Sequence, residues 1–102
     1  MGYNYSLGEL YSRINDLSNR IQNETYSSGT AKENEIRMAK EHLDRAEEYR
    51  KKAELMKLRR DESAELDKEV ESLRNKANEE YRAAEYHYEQ AVAKVPEPSY
   101  SY

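Results

Sequence analysis

Between Ala31 and Lys94 the chain contains neither glycine nor proline. These two residues cost a helix interior more than any others, so a run this long without them favours helix throughout. Unbroken, residues 31–94 would form a rod on the order of 96 Å long. Composition agrees. Charged residues make up 37% of the chain and mean hydropathy is −1.26, whereas average chains are about a quarter charged. That balance suits long solvated helices better than a thick globular core.

A shorter helix precedes the run. Residues 1–5 form an N-terminal arm, and Ser6 with Glu9 has the S-x-x-E spacing of a capping box, flanked by Tyr5 and Leu10 at staple spacing. Leu7, Leu10, Ile14, Leu17 and Ile21 then recur in steps of three and four, which is one narrow helical stripe. The short amphipathic helix is therefore placed at 6–24, about 24 Å of it apolar on one side. Residues 25–30 read as a loop, because Ser, Gly and Thr cluster there and the periodicity lapses. Thr30 and Glu33 repeat the capping-box spacing.

The long helix is placed at 31–95, ended by Pro96, with 96–102 an extended Tyr/Pro tail. It has two apolar registers. Ile36, Ala39, Leu43, Ala46 and Ala53 follow one, interrupted by Arg50; Leu66, Val70, Leu73, Ala77, Ala84 and Ala91 follow the other, with Tyr81 and Tyr88 beside it. The step from Ala53 to Leu66 is one residue short of two heptads, so the phase slips near 57–64. An over-wound continuous helix absorbs such a slip; so does a chain break near 60–63. The expected fold is all-α: an antiparallel helical hairpin of coiled-coil type with one short and one very long helix, and a three-helix bundle as the alternative.

The hairpin core would comprise Leu7, Leu10, Ile14, Leu17 and Ile21 against Ile36, Leu43 and Ala46. The short helix cannot reach the second register, so that stripe needs another chain. The expected partner interface is Leu55, Leu66, Val70 and Leu73, continuing through Ala77, Tyr81, Ala84, Tyr88 and Ala91. Charge suggests how a partner would be oriented. Residues 50–60 carry six basic groups and one acidic, and residues 61–71 carry six acidic and one basic. Such blocks set orientation more than affinity.

Chemistry is mostly excluded. The chain has no cysteine, hence no thiolate ligand, disulfide or thiol nucleophile. His42 and His87 lack the Glu-x-x-His spacing of carboxylate-bridged metal sites, since Ala39 and Ala84 occupy those positions. No phosphate loop or nucleophile elbow is present. The expectation is a protein that is not an enzyme, with no cofactor, no metal and no small-molecule substrate. The net charge of −4 and the acidic block beside the basic one argue against nucleic acid. No stretch is apolar enough for membrane insertion. The function expected is helical interaction or assembly, with itself as a homodimer or with a partner helix in a hetero-bundle. The location would be cytoplasmic, or exported without a cleaved signal peptide.

An acidic, cysteine-free helical hairpin of about one hundred residues also resembles the small partners of type VII secretion. Tyr81 and Glu85 match the Y-x-x-x-D/E signal of that system. The resemblance implies a leaderless secreted substrate, or a targeting partner of a secreted effector. The W-x-G turn of that group is missing, because the chain has no tryptophan.

Overall fold

The computed structural model describes residues 4–24, 30–58 and 64–93, with the side chains of 30, 31 and 64–66 outside that description. Three helices follow in order: α1 (Leu7–Asn23), α2 (Thr30–Lys57) and α3 (Ala64–Ala93). The described residues contain no strand. The loop at 25–29, the residues at 59–63 and the tail from 94 onward lie outside the described set.

At the start of α1 the Glu9 amide donates to Ser6 Oγ at 3.2 Å, and the Ser6 amide donates to Glu9 Oε1 at 3.0 Å. Two amides that the helix itself cannot satisfy are thereby paired. α1 ends at Glu24, which is extended and whose amide donates to the Ile21 carbonyl. The second capping box depends on Thr30, whose side chain is not described.

The stretch expected as one helix over 31–95, with a possible break near 60–63, holds two described helices, and residues 59–63 between them lie outside the described set. α2 ends at Lys57, where the Leu58 amide is shared between the carbonyls of Glu54 and Leu55, both at 3.2 Å. Such three-centre bonds are common at helix termini. α3 then returns antiparallel along α2. Glu35 Oε1 lies 2.7 Å from His87 Nδ1, and Glu80 Oε1 lies 2.6 Å from His42 Nδ1. In a continuous rod Glu35 and His87 would stand about 78 Å apart. The physical reason is burial. A rod would leave the second apolar register wet, whereas antiparallel packing of α3 along α2 turns the two registers toward each other.

Alanine makes that contact close. Ala39, Ala46 and Ala53 on α2 and Ala77, Ala84 and Ala91 on α3 recur every seven residues, and each has 0% exposure. Small side chains let helix axes approach toward the lower end of the usual 8–10 Å. Large aliphatic side chains come mainly from α1. Leu7, Leu10, Ile14, Leu17 and Ile21 of α1 are buried together with Ile36 and Leu43 of α2. α1 runs antiparallel to α2, as the Arg50 guanidinium sits over the Tyr11 ring at one end and Lys32 bonds Glu24 at 2.9 Å at the other. α1 therefore covers α2 only as far as Arg50.

Arg50, which breaks the apolar pattern in the sequence, is buried yet paired. Its Nε and Nη2 donate to Glu47 at 3.1 and 2.7 Å, and the bond to Glu47 holds the guanidinium charged against the cost of burial. A buried charge without such a partner would cost several kcal/mol.

Candidate partner-docking surface

The residues expected to face a partner divide into three sets. Ala77, Tyr81, Ala84 and Ala91 are fully enclosed, with Tyr81 at 4% exposure. Val70, Leu73 and Tyr88 are half-buried against the same core. Leu55, by contrast, is 64% exposed. The side chain of Leu66 is not described. The sequence-based premise that a second chain must cover the α3 stripe is therefore overturned for residues 77–91: α1 and α2 of the same chain cover them. All eight residues expected in the hairpin core are buried, and they belong to the same cluster as the enclosed α3 residues.

Tyr81 is enclosed because the N-terminal arm closes over it. Asn78, 1% exposed, grips the arm by its backbone. Its Oδ1 accepts from the Tyr5 amide at 2.7 Å, and its Nδ2 donates to the Tyr5 carbonyl at 3.0 Å and to the Arg74 carbonyl at 2.9 Å. Arg74 Nη1 donates to the same Tyr5 carbonyl at 3.1 Å, and Asn4 Nδ2 donates to Asn75 Oδ1 at 2.8 Å. The Tyr5 ring meets Tyr81 edge-on at 5.9 Å, with the Arg13 guanidinium 4.1 Å from its centroid. Burial pushes the Tyr81 hydroxyl above the ordinary tyrosine range, and Glu85 adds to that. The sequence signal for this latch is a lone Asn on the apolar face of α3, next to Ala77 and between Arg74 and Tyr81. A polar residue on a core face must find partners, and here the arm supplies two of the three bonds and the Arg74 carbonyl the third.

What remains outside is the end of α2. Leu55 and Leu58 are 64% and 72% exposed and stand three residues apart on the last turns of the helix. Lys51, Lys52 and Lys57 around them are also exposed. Val70 is the described apolar side chain of α3 nearest this end, and it is only half-buried. Three-residue spacing puts Leu55 and Leu58 on one side of the helix. The remaining exposed large apolar residues, Tyr11, Tyr86 and Val92, are spread over α1 and the far part of α3.

Among the described residues no three His, Cys, Asp or Glu side chains converge as a metal-ion set, and no described helix is long and apolar enough to cross a membrane. An open depression lined by Ser18, Ile21, Gln22, Lys40, Leu43 and Asp44 carries one cation and one carboxylate on its rim. No protein-family model matches the chain, and no curated protein or solved structure is significantly similar to it.

Proposed function

We propose that the protein is a non-enzymatic helical assembly module whose three helices pack as a bundle, and that it associates with a second copy of itself through the C-terminal end of α2. The observation that carries this reading is the pair of exposed leucines, Leu55 and Leu58, at the end of a helix that buries Ile36, Ala39, Leu43, Ala46 and Ala53. Charge argues for a second copy as the occupant. The basic block 50–60 and the acidic block 61–71 carry balances of +5 and −5 in the sequence. Among the described residues of these blocks, Lys51, Lys52 and Lys57 are exposed on the last turns of α2, and Asp67, Glu69 and Glu71 are exposed on the first turns of the antiparallel α3. A surface with opposite charges side by side is self-complementary under a two-fold axis, as closed dimers require. Charge then sets orientation, while the leucines supply the apolar contact.

Sedimentation velocity across a concentration series tests it. The account expects a monomer–dimer equilibrium that weakens with salt. The double variant Leu55→Ser/Leu58→Ser should stay monomeric with unchanged helical circular dichroism. A wild-type chain that is monomeric at high micromolar concentration, or a double variant that dimerises as well as the wild type, would reject the proposal.

The second reading, a leaderless type VII secretion substrate or targeting partner, rests on Tyr81 and Glu85. It fits less well, because a receptor would have to read a tyrosine ring that the arm and α1 enclose.

A further inference from the structure

Glu35 and His42 stand seven residues apart on α2, and Glu80 and His87 stand seven apart on α3. Because the helices are antiparallel, each histidine meets the glutamate of the other helix. His42 Nδ1 lies 2.6 Å from Glu80 Oε1, and His87 Nδ1 lies 2.7 Å from Glu35 Oε1. The four residues form a local two-fold arrangement with the imidazole rings at its centre. The ring centroids are 5.5 Å apart and the planes lie within 4° of parallel. The side chains of His42 and His87 are 29% and 21% exposed. An E-x-x-H search passes over this cluster, whose signal is the same seven-residue spacing on two facing helices.

A nitrogen this close to a carboxylate oxygen needs a proton between them, so Nδ1 carries the hydrogen in both rings. Arg45 Nη1, 3.3 Å from His42 Nδ1, cannot donate to a nitrogen already protonated. Its charge acts instead on Glu80, 3.7 Å away. In the neutral ring this tautomer leaves Nε2 with its lone pair, and the hydrogen bonds of both rings run through Nδ1. A histidine whose Nδ1–H is held by a carboxylate is the usual form of a metal-ligating histidine. Here that form occurs twice, on adjacent rings.

We propose that His42 and His87 bind one divalent transition-metal ion of the zinc type through their Nε2 atoms, with Glu80 and Glu35 holding the rings from the outer shell. Two parallel ring planes cannot share an ion as they stand. Ligation therefore needs small χ1 and χ2 rotations of both histidines, each glutamate following its ring, until the Nε2 atoms approach to about 3.3 Å, the separation set by a tetrahedral centre with Zn–N bonds of roughly 2.0–2.1 Å. Partial exposure leaves room for that movement and for water to complete the coordination. The two carboxylates attract the cation and Arg45 opposes it. The Tyr86 ring, edge-on to His87 at 5.4 Å, borders the site on one side. A bound ion would fasten α2 to α3 at mid-length.

Zinc alone, titrated into the untagged full chain after chelator treatment, tests this by calorimetry together with nitrogen NMR of the histidines. The expected result is a single saturable site, with metal-induced shifts at Nε2 of both rings while Nδ1 stays protonated. Glu35→Gln and Glu80→Gln should each weaken binding about tenfold or more, and Arg45→Gln should tighten it. Absence of saturable uptake overturns the proposal. So does uptake that is unchanged in the His42→Asn/His87→Asn double variant, which would mean an adventitious ion only. If the histidine variants do not fold, the NMR of the wild-type chain decides by itself, since shifts at any other pair of sites reject the assignment. Neither result bears on association at the α2 tip.

Discussion

The two ends of the molecule are built from the same pair of helices but differ in what covers them. Toward residues 32–50 of α2 and 74–91 of α3, α1 lies across the pair and contributes five buried aliphatic side chains. Beyond Arg50 no third helix is present among the described residues, and Leu55 and Leu58 project into solvent. Alanine-lined contact continues to Ala53, so the two-helix tip stays paired without a thick apolar core. The difference teaches that the covered end holds the fold together, while the exposed end is the part to which the proposal assigns association.

Substitutions can break this contrast. The largest effect is expected for Leu10→Ala, which empties a site of 0% exposure and should cost about 2–5 kcal/mol, read as a lowered midpoint in urea. The same change at Leu55 should stay within about 0.5 kcal/mol, as for ordinary surface positions. Equal costs at the two positions would remove the distinction between the ends. Next comes Asn78→Ala, which removes the bonds from its side chain to the Tyr5 amide and carbonyl. A cost of about 1–3 kcal/mol is expected, with faster amide exchange at Tyr5 as its local sign. Ser6→Ala removes the capping hydroxyl and should cost about 1 kcal/mol.

A smaller effect sharpens the comparison from the alkaline side. Burial raises the Tyr81 hydroxyl above its ordinary range, and burial also raises Tyr88, with Glu24 next to it. For a group raised in the folded state, the unfolded chain ionises first. The contribution to stability is therefore complete below the unfolded tyrosine range, about pH 10, and is lost as pH rises through the folded value. Urea midpoints should fall above roughly pH 10, and Tyr81→Phe should blunt the fall. An identical alkaline profile in wild type and variant would contradict the burial of this hydroxyl.

Much of this was legible in the residues. The capping box at Ser6 and Glu9, the α1 stripe and both registers of the long run follow from local spacing, because propensity and periodicity act over a few residues. The reversal between α2 and α3 was harder to see. Its marker is the single-residue phase slip between Ala53 and Leu66, and no glycine or proline accompanies it. Whether a slip is absorbed or becomes a turn depends on which arrangement buries more apolar surface, a property of the whole chain. That one choice carried the interface with it. Tyr81, Ala84 and Ala91 lie on an apolar stripe in either arrangement, but only the reversed chain can cover them itself. The arm latch was hidden for the same reason, since Asn78 and Tyr5 are 73 residues apart.

The account stands on the chain folding back on itself between α2 and α3. Cysteines introduced at the exposed positions Glu33 and Glu89, in a chain with no other cysteine, allow the span to be measured by pulsed electron resonance. The doubly labelled protein is diluted into excess unlabelled chain, so that only distances within one molecule are read. With helices roughly 8–10 Å apart, the account predicts a narrow distribution at about 25 Å or less once the reach of the labels is included. A distribution near 84 Å, the length of about 56 residues of continuous helix, would contradict it.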